Sequence, residues 1–147
     1  MAKEIERKFL VTDSSYEALA SKSVRIMQGY LCRRPESTVR VRIADSNAWL
    51  TVKGRNHGII RDEWEYPIPA DDARAMLEKC ADGNVIEKTR FFVPFGNRQW
   101  EIDRFGGRLE GLTLAEVELP SAECPVELPP FVGEEVSGDP RYYNSNL

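Results

Sequence analysis

KEIERKF, residues 3–9, sets Glu4, Glu6 and Lys8 two apart, with Ile5, Arg7 and Phe9 between them. A strand sends alternate side chains to opposite faces. Read as a strand, the stretch presents two carboxylates and an amine on one face and a largely apolar surface on the other. A half-buried strand ordinarily turns its apolar face to the core and its polar face to water. Whether Glu4, Glu6 and Lys8 form a solvated face or a charged interior decides the fold.

The same parity recurs along the chain. Arg40 and Arg42 share a face in STVRVRI, Thr51 and Lys53 in WLTVKG, and Arg61, Glu63 and Glu65 in IRDEWEYPI. Lys88 and Arg90 share one in VIEKTRFFV, Glu101 and Asp103 in WEIDRF, and Glu116 and Glu118 in LAEVEL. The spacing predicts strands over Lys3–Val11, Val24–Arg33, Thr38–Asp45, Ala48–Gly54, Arg61–Ile68, Val85–Pro94, Arg98–Phe105 and Leu112–Leu119. Turn residues in ADSNAW and PFGNRQ make hairpins of their neighbours, hence antiparallel pairing. Two helices interrupt the series. One lies within Thr12–Ser23, with Asp13 or Ser14 as N-cap, and one within Pro69–Gly83; a short third helix is expected after Pro140. Strands in this number predict a mainly β, α+β domain, a barrel or a sandwich with a few covering helices.

Solvated strand faces usually mix Thr, Ser and Gln with charges. These faces are almost purely charged, while Trp64, Tyr66, Phe91 and Trp100 stand on the opposite ones. In the ordinary arrangement the aromatic faces meet in a central core. In the inverted arrangement the charged faces close inward and helices cover the apolar outside. Buried charges are tolerated only when paired or holding ions. A lumen with bases on some strands and acids on others would suit a polyanion and a divalent metal. Parity alone leaves both arrangements open.

Bulk properties narrow the classes. The 147 residues carry 41% hydrophobic and 30% charged residues, which suits one domain, 1–147, with a substantial core. A formal net charge of −4 argues against nucleic acid as a partner through the overall field. Cys32, Cys80 and Cys124 fit neither a disulfide framework nor a zinc ribbon, so reduced thiols in a cytoplasmic protein are expected. No apolar run approaches the ~20 residues of a membrane span.

In this context EIERKF resembles the Glu-x-Glu-x-Lys signature of the CYTH domain family, the triphosphate tunnel metalloenzymes. VRVR, LTVKG, RDEWEY, EKTRF, WEIDRF, AEVEL and a terminal RYYN follow in the family's order, as in a small bacterial-type member. The resemblance implies an eight-stranded antiparallel β-barrel forming a charged tunnel. It implies a hydrolase of linear triphosphates, most simply an inorganic tripolyphosphatase, using Mg²⁺ or Mn²⁺ and a water that attacks a terminal phosphorus. Carried over by position, Glu4, Glu6, Glu116, Glu118 and Asp103 are metal-side carboxylates. Lys8, Arg40, Arg42, Lys53, Lys88 and Arg90 form the phosphate clamp. Lys8, Glu63, Glu65 and Arg61 are the catalytic candidates, with Arg61 pairing the two carboxylates. On the same scaffold, adenylate cyclase, thiamine triphosphatase or a non-catalytic polyphosphate-binding module are the alternatives.

Other residues carry plainer expectations. His57 is a solvated loop residue. Arg33 and Arg34 end a strand at a turn. Gln28 and Tyr30 share a face that would line the lumen. Tyr142 and Tyr143 pack where the tail closes one end. Apolar residues left outward and uncovered by helices offer a homodimer surface.

Overall fold

The computed structural model describes residues 2–147. Its strands are β1 Ala2–Val11, β2 Lys22–Arg34, β3 Ser37–Ala44, β4 Asn47–Gly54, β5 Ile60–Ile68, β6 Ile86–Phe95, β7 Arg98–Phe105, β8 Thr113–Glu118 and β9 Val132–Glu135. They lie in the order β5-β4-β3-β2-β6-β7-β8-β1-β9, and β5 also pairs with β1, so β1–β8 close into an antiparallel barrel. The closure is divided along β1. Residues 2–5 pair with β5, residues 6–10 with β8, and Phe9 and Val11 with β9.

Turn chemistry helps fix the register. Ala44 faces Asn47 across one hairpin and Phe95 faces Arg98 across another. Asp45 and Gly96 take φ of 53° and 59° in those turns. Asp tolerates this left-handed conformation and Gly adopts it freely, as tight hairpin loops require.

The structure departs from the sequence reading in three places. The first helix is a single turn, α1 Tyr16–Leu19, with Ser15 at its N-cap, and Asp13 accepts from the Ser15 backbone instead of capping. It is short because β2 begins at Lys22, pairing there with Phe92, and tertiary pairing overrides helix propensity. Strand β9 was not predicted, since VGEE has no alternation; the Val136 amide, just beyond it, donates to the Lys8 carbonyl at 2.8 Å. The tail forms two 3₁₀ turns, Pro140–Tyr142 and Asn144–Asn146. The second helix, α2 Ala70–Lys79, lies within its expected span.

Apolar packing sits mainly outside the barrel. Phe9, Val93, Trp100, Ile102, Ala115 and Val117 face outward and pack beneath Tyr16 of α1 and Phe131 of the segment after β8. Val41, Ile43 and Ala48 pack beneath Ala73 and Leu77 of α2. At Gly29 an added Cβ would stand 2.9 Å from Leu77 Cδ2, so only glycine lets α2 settle this closely on β2. A third cluster has the interior parity: Leu10, Ile86, Phe105 and Leu114 meet Val136, Tyr142 and Leu147 of the tail. The barrel interior is therefore apolar at the side where the tail packs and charged elsewhere. The outer face of β5 is barely covered, with Tyr66 57% exposed.

Trp100 is fully buried, with its ring centroid 5.6 Å from that of Phe9. Trp100→Ala should cost ~3–5 kcal/mol, read from denaturant unfolding. Its indole N–H has no hydrogen-bond partner. Trp100→Phe should therefore cost clearly less, and equal costs for the two would show that the outer core is not centred here.

Candidate active site

Seven of the eight barrel strands deliver their charged parity to one interior, and β2 adds Gln28 and Tyr30. The larger lobe, about 200 Å³, is lined by Arg42, Arg90, Glu101 and Glu116 and, at its open side, by Glu63, Glu65 and Glu118. A smaller lobe of about 60 Å³ is lined by Lys8, Tyr30 and Arg61, by loop residues 56, 58 and 59, and by the tail residues Ser137 and 143–145. Glu4, Glu6, Arg40, Lys53 and Asn144 line both lobes and mark the waist between them. A larger concavity, about 850 Å³, lies beside Met27, Arg104 and the edge of β6 and β7, where Lys88 and Phe105 also reach it. There Arg104 is tied to Glu17, Arg74 to Asp71 and Lys88 to Asp103. The interior is the site with chemistry.

Asp103 organises the cationic wall. It is 1% exposed and accepts from Arg90 Nε and Nη2 at 2.7 and 2.9 Å, with Lys88 Nζ at 2.7 Å from its other face. Burial opposes its charge, but the two cations hold the carboxyl far below the usual carboxylate range. Arg90 also reaches Glu101. Lys88 is wholly buried; that burial and the nearby Arg90 and Arg42 outweigh Asp103 and push its amine down to about 7. Arg42 falls to about 9, through burial and then repulsion from Arg40 and Arg90. Gln28 Oε1 accepts from Arg42 Nε at 2.8 Å. Thr51 hydrogen-bonds both Arg40 and Glu65.

The acidic wall is unevenly compensated. Burial raises Glu4, but Lys53, bonded to both its oxygens at 2.9 and 3.0 Å, brings it below its ordinary value. Glu116 likewise loses charge to burial and regains it from Lys8, 3.5 Å away, settling at about 2. Its Oε1 is buried without a hydrogen bond. For Glu6 the same two lysines do not suffice. Burial, then Glu116 and Glu4, push its carboxyl well above the usual range. Burial also raises Glu63, Glu101 and Glu118, with nearby carboxylates adding to it.

Of the sequence-predicted set, Glu4, Glu6, Lys8, Arg40, Arg42, Lys53, Arg61, Glu63, Glu65, Arg90, Glu116 and Glu118 line the two lobes. Lys88 stands behind Asp103. Asp103, expected on the metal side, has its oxygens committed to two cations. Arg61, expected to pair with Glu63 and Glu65, instead donates to the Gly54 carbonyl at 2.8 Å and to Thr38 Oγ1 at 3.3 Å. Glu101 lines the cavity and was not singled out, although its shared face with Asp103 signalled it. Asn144 was also missed, and no periodicity in the tail could have found it. His57 is exposed, as expected.

Among the described residues no three carboxylates converge into a ready-made metal cage. A hard divalent cation of the Mg²⁺ type needs less, because it is held by one or two carboxylates together with phosphate oxygens and water. Glu6, whose nearby lysines do not offset its burial, and Glu116, whose Oε1 has Lys8 only at 3.5 Å among the described residues, supply that kind of partial oxygen site, and the residues fit such an ion.

The model of the CYTH domain matches residues 2–143. An inorganic triphosphatase of Acetivibrio thermocellus is 46% identical over 147 residues, covering 100% of this chain and 94% of its own. One from Nitrosomonas europaea is 36% identical, covering 98% of this chain and 95% of its own. A crystal structure of an inorganic triphosphatase superposes with a TM-score of 0.67 at 33% identity, covering 99% of this chain and 94% of that one.

Charge on Glu6 strains the metal-free fold, and the sign of its pH dependence follows. Its folded pKa is raised, so the cost is complete above that value and vanishes as pH falls toward the ordinary 4.5. With chelator present, Glu6→Gln should raise Tm at pH 7, by roughly 2–4 °C for each ~1 kcal/mol relieved. The gain should shrink as the pH is lowered to about 4.5. A variant less stable than the parent at pH 7 would contradict this account.

Proposed function

The chain belongs to the CYTH domain family, and on that premise we propose that it is a divalent-metal-dependent inorganic triphosphatase working in the cytoplasm on free tripolyphosphate. The observation that carries this reading is the gathering of Lys8, Arg40, Arg42, Lys53 and Arg90 with a facing set of carboxylates around one interior, with Lys88 behind Asp103. A linear triphosphate carries roughly four negative charges near neutral pH. Matching them takes several cations, with arginine forks favoured for phosphate oxygens. The relatives named above act on the same substrate class by their descriptions.

The roles follow from position. Arg40, Arg42 and Arg90 grip phosphate oxygens from one wall, with Asp103 and Lys88 locking Arg90 in place behind them. Lys8 and Lys53 reach the chain from β1 and β4. Glu4, Glu6, Glu116 and Glu118 would hold Mg²⁺ or Mn²⁺. When bound, such an ion neutralises charge on the phosphate oxygens. Phosphoryl transfer needs in-line placement and charge neutralisation more than covalent help. Glu63 and Glu65, at the open side, orient the water that attacks a terminal phosphorus. Burial and the nearby Glu4 raise the pKa of Glu63, which suits it to accept a proton. Arg61 supports the small lobe through the Gly54 carbonyl. Cys32, Cys80 and Cys124 take no part.

Purified protein incubated with tripolyphosphate, pyrophosphate, ATP or thiamine triphosphate should release phosphate fastest from tripolyphosphate, with Mg²⁺ or Mn²⁺ present and not with chelator. Tight binding of tripolyphosphate without turnover under either metal would overturn the reading. Lys8 is buried and, among the described residues, its amine pairs with Glu116 and the Tyr142 carbonyl. Lys8→Ala should lower kcat/KM by about 100-fold or more, the scale of losing one donor in a water-poor site. Full activity in that variant would remove β1 from the site.

A further inference from the structure

Asn144 lies in a 3₁₀ turn of the tail, outside every barrel strand, yet it lines both lobes of the interior. Its Oδ1 accepts from Lys88 Nζ at 3.3 Å, so the side chain projects into the barrel and not into solvent. Its neighbours are pinned. Lys8 Nζ donates to the Tyr142 carbonyl at 2.9 Å, and Arg33, which stacks on Tyr30, donates to the Ser145 carbonyl. Tyr142 and Leu147 pack with Leu10, Ile86 and Phe105 at the apolar end. The amide is therefore held at the waist by contacts on either side of it in the chain. With the oxygen committed to Lys88, the NH₂ group is the half that remains, and among the described residues it makes no hydrogen bond.

We propose that Asn144 is a substrate-contacting residue: its Nδ2–H₂ donates to an oxygen of the phosphate chain where the chain crosses the waist, while its Oδ1 keeps Lys88 in place. The proposal rests on the triphosphate reading of the interior. It adds a neutral donor from the tail to a clamp otherwise made of strand-borne cations. An amide donor suits this position. It serves phosphate without adding to the mutual repulsion of Arg40, Arg42 and Arg90, which already lowers Arg42. It is also sensitive to what replaces it, because a carboxylate at the same place would face the anion directly.

That last point supplies the test. Asn144→Asp keeps shape and keeps an acceptor for Lys88, indeed a stronger one. A residue that merely anchored the tail would tolerate it, whereas a phosphate donor would not. Tripolyphosphate binding is measured by titration calorimetry, and hydrolysis in parallel, for the parent chain, Asn144→Asp and Asn144→Ala, all with Mg²⁺ and all checked for Tm. The expected result is an Asn144→Asp protein that melts no lower than the parent but binds tripolyphosphate at least tenfold more weakly, with KM raised more than kcat is lowered. Asn144→Ala should fall between the two in affinity. Affinity of Asn144→Asp within twofold of the parent overturns the proposal, as does a loss confined to kcat. Should the parent bind tripolyphosphate and not hydrolyse it, the hydrolase reading fails, and the affinity comparison still decides the role of Asn144.

Discussion

A carboxylate with no exposure to water and two cations against it, Asp103 with Arg90 and Lys88, is the constraint on which the interior depends. Burying isolated charges costs far more than folding can supply, and a buried ion pair is at best weak evidence for stability. Glu101 shares Arg90 with Asp103, and Lys88 is depressed by burial first and by the nearby Arg90 and Arg42 second. The barrel nonetheless keeps this arrangement across β6 and β7, where Arg90 and Asp103 are direct cross-strand partners. An anionic guest would give Arg42, crowded by Arg40 and Arg90, a further counter-charge. The interior reads as a site built for its occupant at the expense of the empty fold.

Such an interior is affordable because the hydrophobic effect works elsewhere. The outward faces of β1, β6, β7 and β8 pack under α1 and the segment after β8, and those of β3 and β4 under α2. Each strand thus separates an apolar shell from a charged lumen. The two are mechanically linked by period-2 geometry, since a one-residue slip would exchange every side chain between them. The apolar exception inside, around Leu10, Ile86, Phe105 and Leu114, lies where the tail packs and gives that segment its seat.

Much of this was legible in the sequence, for a physical reason. Alternation in seven strands specifies which side chains travel together, and Arg40, Arg42, Glu116 and Glu118 shared faces in the sequence as they do in the barrel. Parity could not say which face was inside, and the ordered family resemblance resolved that. Partners were less legible than faces. Asp103 looked like one more acid among acids; only the register of β6 on β7 reveals that it serves Arg90. Arg61 turned to the Gly54 carbonyl because its strand lies against the β4 end there. Asn144 meets Lys88 across 56 residues, along a tail path that no local period encodes.

The lysine–glutamate pairing bears on how ligands enter. Lys53 is held by both oxygens of Glu4, and Lys8 stands 3.5 Å from Glu116. On the proposed reading, one member of each pair serves phosphate and the other serves the metal ion. A phosphate chain arriving alone would draw Lys53 and Lys8 away and leave two more buried carboxylates uncompensated beside Glu6. A cation arriving alone would draw Glu4 and Glu116 away and leave two ammonium groups among three arginines. Either intermediate carries the penalty of unpaired buried charge, which costs several kcal/mol per ion. Together, the ligands exchange partners with the protein's own pairs, and every charge keeps an opposite neighbour. On that reading metal and triphosphate would bind with positive coupling, residing in the two lysine–glutamate pairs that either ligand alone would break.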